Sequence, residues 1–255
     1  MHPTTRIQRK YNARVWFVLA GAIALGATVD VTDRQTQTLA LPPGKPISIE
    51  VTVGNVRIDG WDKPDVEIVV ERRAPDKAQL VRVAVAIEET PARVSVRALQ
   101  TENTTDPAFR ADVAVRVPRA ALIDRVQVLE GRITIEGFNG TLTGDIRRGP
   151  IDGRNVSGTL RLEAGIGSVT ITGARLSENG LLRLRSFNGD VRLSLAARPT
   201  DARILALVLN GYVTSDIPLT RRETWGPRWA EATLGKGEPV ISLDVVTGLI
   251  EIKSP

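Results

Sequence analysis

The sequence predicts an all-β fold in which short strands repeat and stack, and three observations support this. The 255-residue chain holds 22 glycines and 15 prolines, but its aromatic fraction is only 4%. After residue 30, apolar and polar residues alternate between turn residues, and no helical period is sustained. From Gly131 onward, short motifs recur at spacings of 18, 18 and 22 residues. A core of small aliphatic side chains from many short strands is consistent with all three.

Residues 1–27 are predicted to be a leader. Residues 1–14 carry four basic side chains and no acid, and the apolar segment Val15–Ala27 follows. A basic start, a short apolar run and small residues at its end are typical of an export signal peptide. The run is shorter than the roughly 20 residues that span a bilayer comfortably, so an uncleaved N-terminal membrane anchor is the alternative. Both predict an extracytoplasmic protein of the periplasm or cell envelope.

Residues 28–125 are predicted to form an N-terminal region of strands. The segment Ile47–Val53 alternates cleanly, and Gly54 and Asn55 then turn the chain into Val56–Ile58. The polar segment Gln100–Arg110 is predicted to be a loop. Further strand candidates share the same alternation: Val66–Glu71, Val81–Ile87, Val94–Leu99, Val113–Val117 and Val126–Leu129.

Residues 126–255 are predicted to form a repeat region with units of 18 to 22 residues. Two motifs that begin with glycine keep the same spacing, so each unit is predicted to hold two short strands. One unit is four residues longer than the others, and its extra residues fall near Ala174–Asn179. The first motif begins at Gly131, Gly149, Gly167 and Gly189, and the second at Gly140, Gly158 and Gly180.

A two-strand unit of this kind cannot bury its apolar side alone, so neighbouring units must stack. We therefore predict a β-solenoid-like arrangement, with glycines at the corners where the backbone needs positive φ. Two inward columns of aliphatic side chains are expected: Ile133, Ile151, Val169 and Val191 in one, and Leu142, Leu160 and Leu182 in the other.

The composition excludes most common enzyme chemistry. The chain has no cysteine, and its single histidine, His2, lies in the leader. Cysteine nucleophiles, histidine-ligated zinc and Ser-His-Asp triads are therefore excluded after the leader. Asp152 and Asp190 form no acidic column, because Asp190 aligns with Ser168. We predict no catalytic residue, no metal site and no cofactor.

The segment 218–239 interrupts the strand pattern and is predicted to be a loop that contains tryptophan. Trp225, Trp229 and Arg228 could bind a sugar or a partner chain. The favoured alternative is a structural one, in which the two indole rings cover the open end of the stacked core, because repeat proteins need caps.

Arg161 and Arg183 align in successive units, and Asp145, Glu163 and Arg185 align two residues later. Facing outward, the two arginines could bind an anionic glycan or a lipid headgroup. The favoured alternative is an ordinary solvated sheet face, because exposed charge pairs contribute only a few tenths of a kcal/mol.

The segment Gly54–Asp62, followed by Val66–Ile68, resembles the opening strands of the bacterial putative-adhesin β-strand-repeat family, to which toastrack-like domains are related. The segments Phe187–Leu193 and Val246–Ile252 match its repeats. The resemblance covers roughly residues 45–255. It implies a repetitive β fold in a cell-envelope protein, and it transfers no catalytic residue because the family has no assigned activity.

Together these features predict a non-enzymatic, exported cell-envelope protein, adhesin-like or a scaffold, that presents a sheet surface to protein or glycan partners. An envelope-stress accessory domain that binds a membrane sensor is one alternative, and a carbohydrate-active β-solenoid enzyme is another. Nucleic acid is not predicted, because the leader carries four of the five net positive charges. Membrane attachment is predicted only if the leader is not cleaved. Exposed end strands would permit self-association.

Overall fold

The computed structural model of this chain describes residues 30–102, 105–222 and 227–255. The predicted leader and Trp225 lie outside these residues. The described chain is built almost entirely of strands, with one short 3-10 helix at Ala78–Arg82. Its strands are β1 (Val31–Ala40), β2 (Ile47–Trp61), β3 (Asp65–Ala74), β4 (Val83–Glu89), β5 (Val94–Gln100), β6 (Arg110–Pro118), β7 (Leu122–Glu136), β8 (Thr141–Arg148), β9 (Ile151–Arg154), β10 (Thr159–Ile166), β11 (Val169–Ala174), β12 (Leu181–Asn188), β13 (Val191–Leu195), β14 (Ala202–Ser215), β15 (Thr220–Arg222), β16 (Arg228–Leu234) and β17 (Val240–Lys253).

Eight parallel strands form a closed barrel, and two long strands produce the closure. The first half of β7 pairs with β8, and its second half pairs with β9. The long strand β17 likewise pairs with β12 through its first half and with β13 through its second. The remaining pairings join β8 to β10 and β10 to β12 in one wall, and β9 to β11 and β11 to β13 in the other. We call these the first wall and the second wall.

This closure corrects the predicted fold class. The all-β class is confirmed, but the open β-solenoid is wrong, because the pairing circuit of β7, β8, β10, β12, β17, β13, β11 and β9 returns to its starting strand. An open stack and a closed barrel bury the same alternating residues, so the repeat pattern is identical in both. The distinction lies in β7 and β17, each of which belongs to both walls.

Further strands extend the barrel on two sides. Strand β2 pairs in parallel with both halves of β7, and it combines the two segments predicted as separate strands, Ile47–Val53 and Val56–Ile58. On the other side, β14 pairs in parallel with β17, and β16 and then β15 follow in antiparallel order. The segment 218–239 thus contains two strands and is not one continuous loop.

The two predicted columns of aliphatic side chains lie inside the barrel. Ile133, Ile151, Val169 and Val191 occupy successive register positions of the second wall. Leu142, Leu160 and Leu182 do the same in the first wall. All seven side chains are almost completely buried. These columns confirm the inward-facing residues that the repeat spacing predicts.

The repeat glycines form a ladder where the chain passes from one wall to the other. Gly149 and Gly167 have φ of +133° and +147°, values that L side chains rarely adopt. The carbonyl oxygen of Gly149 occupies the space that a methyl group on Gly167 would need. The remaining members of the ladder repeat this stacking: Gly54, Gly131, Gly189, Gly211 and Gly248.

The four extra residues of the longest unit lie at the end of β11 and in the connection that follows it, near the predicted Ala174–Asn179. Strand β9 is joined to β10 by residues 155–158, whereas the longer connection at 175–180 joins β11 to β12. Strand β11 is two residues longer than β9 and its pairing with β13 shifts register between Ile171 and Ala174, whereas β10 and β12 keep one register. No helix within residues 30–102, 105–222 and 227–255 is long and apolar enough to cross a membrane.

Candidate functional site

The outer face of the first wall brings several charged side chains predicted from sequence into two adjacent rows. Arg161 lies directly opposite Arg183 on the neighbouring parallel strand. Two residues along, Asp145, Glu163 and Arg185 occupy successive register positions. The intervening Leu162 and Leu184 are buried, so the charged residues on either side of them face outward. This confirms the alignment of both sets.

Three open depressions adjoin on this face, with volumes of about 430, 480 and 370 Å³. Asp145 lines all three, and Thr143 lines two of them. Because they share Asp145, we describe them together as one shallow channel across β2, β5, β7, β8, β10 and β12, which we call the outer groove. Its polar side chains are Glu50, Thr52, Arg93, Asp124, Arg125, Gln127, Thr143, Asp145, Arg147, Arg161, Glu163, Arg183 and Arg185, and Arg93 pairs with Asp124 at 2.8 Å.

The arginines of the outer groove differ in their partners. Arg185 lies 3.7 Å from the Glu163 carboxylate, and its guanidinium group stacks 4.5 Å from the centre of the Phe187 ring. Within the described residues, no carboxylate lies within 4 Å of a charged nitrogen of Arg161 or Arg183. Two neighbouring guanidinium groups therefore face solvent with their hydrogen-bond donors available.

The carboxyl group of Asp145 has a pKa above its ordinary value. Partial burial raises the pKa of this carboxyl group, and the nearby charge of Glu163 raises it further. Arg125 opposes this effect and lowers the same pKa. Asp145 thus lies between a like charge on one side and an opposite charge on the other.

The structure places Arg228 and Trp229 on the C-terminal extension of the barrel, whereas the candidate Trp225 lies outside the described residues. Trp229 lies on β16 opposite Leu207, and both are half-buried on the outer face. Trp229 is therefore on a strand and does not lie in a loop over the end of the barrel. Arg228 donates a hydrogen bond from Nη1 to the carbonyl oxygen of Gly211, so its guanidinium group contacts the backbone of β14.

The acids considered as catalytic candidates have structural partners. Asp152 accepts a hydrogen bond from Arg132 on the neighbouring strand. Asp190 accepts one of 2.6 Å from Arg192 and a second of 3.1 Å from the backbone N–H of Leu249. The described part of the chain contains no group of three or more His, Cys, Asp or Glu residues that could hold a metal ion.

Sequence reasoning missed two features of this region. Arg125 belongs to the outer groove, but an irregularity in β7 between Ile123 and Val126 shifts it out of the simple repeat spacing. Arg221 donates a hydrogen bond of 3.1 Å to the carbonyl oxygen of Val213, so it contacts the backbone of β14 as Arg228 does. A hydrogen bond from a side chain to a distant backbone carbonyl has no sequence signature.

Comparison with known proteins supports the fold. The chain matches no model of a protein family and no curated protein. A putative cell adhesion protein from Clostridium sporogenes is 11% identical, with 88% of this chain and 100% of that chain covered and a TM-score of 0.52. A putative adhesin from Bacteroides fragilis is 13% identical, with 86% and 97% covered and a TM-score of 0.30. The first likeness shows a shared fold, which confirms at the level of fold the resemblance seen in the sequence.

Proposed function

We propose that this chain is a non-enzymatic, exported protein of the bacterial cell envelope that binds an envelope partner through its outer groove. The observation that carries this proposal is the register pairing of Arg161 with Arg183 on an open face, with no described carboxylate neutralising either. Like charges placed directly opposite each other on adjacent strands disfavour the sheet slightly. A partner that supplies anionic groups removes this cost and gains charge-assisted hydrogen bonds.

Two further observations support the proposal. A structure that shares this fold is described as a putative cell adhesion protein, and adhesion is a binding role. Residues 1–27, with their basic start and apolar run, have the pattern of an export segment. An exported chain meets cell-wall and surface polymers, which are rich in anionic groups. Trp229, half-buried on the outer face, is a second candidate contact for the partner.

A carbohydrate-active enzyme is the second candidate function, and one observation favours it. Asp145 and Glu163 lie opposite each other on adjacent strands, and the pKa of Asp145 is raised, as an acid catalyst requires. However, the two carboxyl groups of a glycosidase flank the scissile bond from either side. Asp145 and Glu163 project from one face of an open groove, so they favour binding over hydrolysis.

The test uses the full chain, expressed in bacteria and separated into cytoplasmic, membrane and extracytoplasmic fractions. We expect an extracytoplasmic location and retention on isolated cell-envelope material, with weaker retention of the Arg161→Ala/Arg183→Ala variant. The matched control is Arg34→Ala/Arg198→Ala, which removes the same charge at exposed positions outside the groove.

Three results would contradict the proposal. A cytoplasmic location would contradict the proposed export. Equal retention of the groove variant and the control variant would exclude the outer groove as the binding surface. Release of reducing ends from an envelope polysaccharide, abolished by Asp145→Asn, would establish the enzyme. Co-purification with an inner-membrane protein that survives loss of both arginines would instead favour the stress-accessory role.

A further inference from the structure

A third arginine extends the pair of the outer groove into a row. Arg125 lies on β7, two residues before Gln127, and Gln127 is opposite Asp145. Arg161 lies two residues before Glu163, which is also opposite Asp145. Arg125 and Arg161 therefore flank Thr143 on the strand between them, and both line depressions that contain Thr143. We call Arg125, Arg161 and Arg183 the arginine row.

The arginine row contrasts with the charged residues of the second wall. There, Arg132 is neutralised by Asp152 across strands and Arg192 by Asp190 along the strand, whereas Arg154 has no carboxylate within 4 Å among the described residues. In the arginine row, no described carboxylate lies within 4 Å of a guanidinium nitrogen, and the one side-chain hydrogen bond of Arg125 goes to the neutral Gln127. The fold gains little from three exposed positive charges on one face, so their arrangement fits an external anion.

The adjacent row differs from the arginine row, because it begins with the two acids Asp145 and Glu163 and ends with Arg185, which lies 3.7 Å from Glu163. Asp145 and Glu163 occupy the next outward-facing position along their strands. They therefore lie beside the arginine row on the same face. Their oxygens accept hydrogen bonds, whereas the arginines only donate. A ligand that covers both rows is therefore best matched by anionic groups along one edge and by hydroxyl groups that face Asp145 and Glu163 along the other. A polymer whose charges are all anionic and which has no hydroxyl groups would meet repulsion from Asp145 and Glu163.

The dimensions of the groove favour an extended ligand. Adjacent strands lie about 4.8 Å apart, so Arg161 and Arg183 are one strand spacing apart, and Arg125 is two spacings, or about 10 Å, from Arg161. The groove crosses these strands and is open along its length, so a chain can lie in it without its ends being enclosed. Guanidinium groups bind carboxylates through two parallel hydrogen bonds.

From this geometry we infer that the outer groove binds a linear polysaccharide that carries carboxylate groups, lying across β7, β8, β10 and β12. Its carboxylates contact the arginine row, and its hydroxyl groups donate to Asp145 and Glu163. The inference rests on the proposed binding function and specifies its ligand class.

The experiment measures binding of the full chain to three uronate polymers, polygalacturonate, polymannuronate and hyaluronate. Neutral dextran and polyglutamate are the comparison polymers, because the first lacks charge and the second lacks hydroxyl groups. We expect at least one uronate polymer to bind at least tenfold more tightly than either comparison polymer. Arg125→Ala/Arg161→Ala/Arg183→Ala is expected to weaken that binding at least tenfold, with circular dichroism confirming that the variant is folded.

Two further variants make the test specific. Arg161→Lys/Arg183→Lys keeps the charge but loses the paired hydrogen bonds to carboxylates, so we expect weaker uronate binding than in the unmodified chain. Arg34→Ala/Arg198→Ala serves as the control and is expected to bind like the unmodified chain.

Specific outcomes would overturn the inference. The inference is wrong if none of the three uronate polymers binds, or if polyglutamate binds as tightly as the best uronate polymer. It is also wrong if anionic phospholipid vesicles bind more tightly than any uronate polymer. If envelope retention still depends on Arg161 and Arg183 in such a case, the proposed function stands and only the ligand class is wrong. If envelope retention is also absent, both fail.

Discussion

The side-chain oxygen Oδ1 of Asp190 accepts a hydrogen bond of 3.1 Å from the backbone N–H of Leu249, a residue 59 positions further along the chain. Leu249 follows Gly248, at the point where β17 leaves one wall for the other, and Asp190 follows the ladder glycine Gly189. The same arrangement occurs at Asp112, whose carboxylate accepts the backbone N–H of Asn55 at 2.8 Å. Carboxylates at these bends satisfy backbone donors between adjacent strands.

Removing the Asp190 carboxylate is therefore expected to destabilise the barrel. Asp190→Ala leaves the Leu249 N–H and the Arg192 guanidinium without this acceptor, and we expect a loss of about 1–3 kcal/mol in the free energy of unfolding. Asp152→Ala is the control, because its ion pair with Arg132 is more exposed and is expected to contribute about 1 kcal/mol or less. Urea unfolding measures both. Equal losses would show that the hydrogen bond to Leu249 adds nothing to the free energy of unfolding beyond what an exposed ion pair contributes.

The glycine ladder predicts a large effect from a single methyl group. Gly167→Ala places a Cβ against the Gly149 carbonyl and also strains the backbone, so we expect a loss of at least about 3 kcal/mol. Gly44→Ala is the control: Gly44 has φ of +81° but open space around it, so only the strain of about 1–2 kcal/mol applies. Thermal unfolding of both variants separates stacking from strain. If Gly44→Ala were equally costly, the ladder would not depend on close approach.

Two phenylalanines with the same local sequence are expected to behave differently. Phe138 and Phe187 each precede Asn-Gly, but Phe138 is 0% exposed whereas Phe187 is 41% exposed. Phe138→Ala is expected to cost about 3–5 kcal/mol through the cavity that it leaves. Phe187→Ala loses only the stacking with Arg185, at about 1 kcal/mol or less. Chemical denaturation distinguishes the two, and similar losses would contradict the burial that the fold assigns.

The stability effect of Asp145 is expected to depend on pH. Folding raises the pKa of this carboxyl group, so the folded chain prefers the protonated form. The ionised form therefore opposes folding once the pH rises above the unfolded pKa of about 3.9. We expect Asp145→Asn to be more stable than the unmodified chain at pH 7, with the difference shrinking as the pH falls below about 4. Urea midpoints at pH 7 and pH 3.5 test this, and a difference of the same size at both would contradict it.

Arg221 and Arg228 are expected to prevent association through the second half of β14. Within the described residues, Gly211–Ser215 pairs with β17 on one side only. Hydrogen bonds from the two guanidinium groups occupy backbone carbonyls there, at Val213 and Gly211. We expect Arg221→Ala/Arg228→Ala to self-associate more strongly, because an unpaired strand edge is a template for another strand.

Sedimentation velocity over a range of concentrations measures this association. The control, Arg34→Ala/Arg198→Ala, is expected to sediment like the unmodified chain. A monomeric double variant with an unchanged circular dichroism spectrum would show that the two arginines do not protect the edge.

Much of the fold follows from sequence where the determinants are local. The 18-residue spacing predicts Gly149 and Gly167 at the bends and the columns of Ile151 and Val169 in the core. Closure of the barrel could not be predicted in this way. It depends on β17, the last strand of the chain, pairing between β12 and β14. Alternation specifies which side chains face inward, and it does not specify which distant strand becomes the neighbour.

The candidate site was predictable to the extent that the repeat is regular. Arg161 and Arg183 align because β10 and β12 keep one register. Arg125 could not be aligned by counting, since the irregularity before Val126 changes the register of β7. The role of Arg228 depends on a backbone carbonyl 17 residues away, which only the folded chain brings within reach.

The glycine ladder also limits how the length of this chain can change during evolution. Losing or gaining one residue between two bends would turn the following strand inside out and separate its glycine from its neighbour. Additions at the end of a strand and in the connection that follows it leave the next strand in register, as the four extra residues before β12 show. Duplicating a complete unit would preserve both the bends and the alternation. We therefore expect insertions and deletions among homologous chains to fall in the connections or to span whole units.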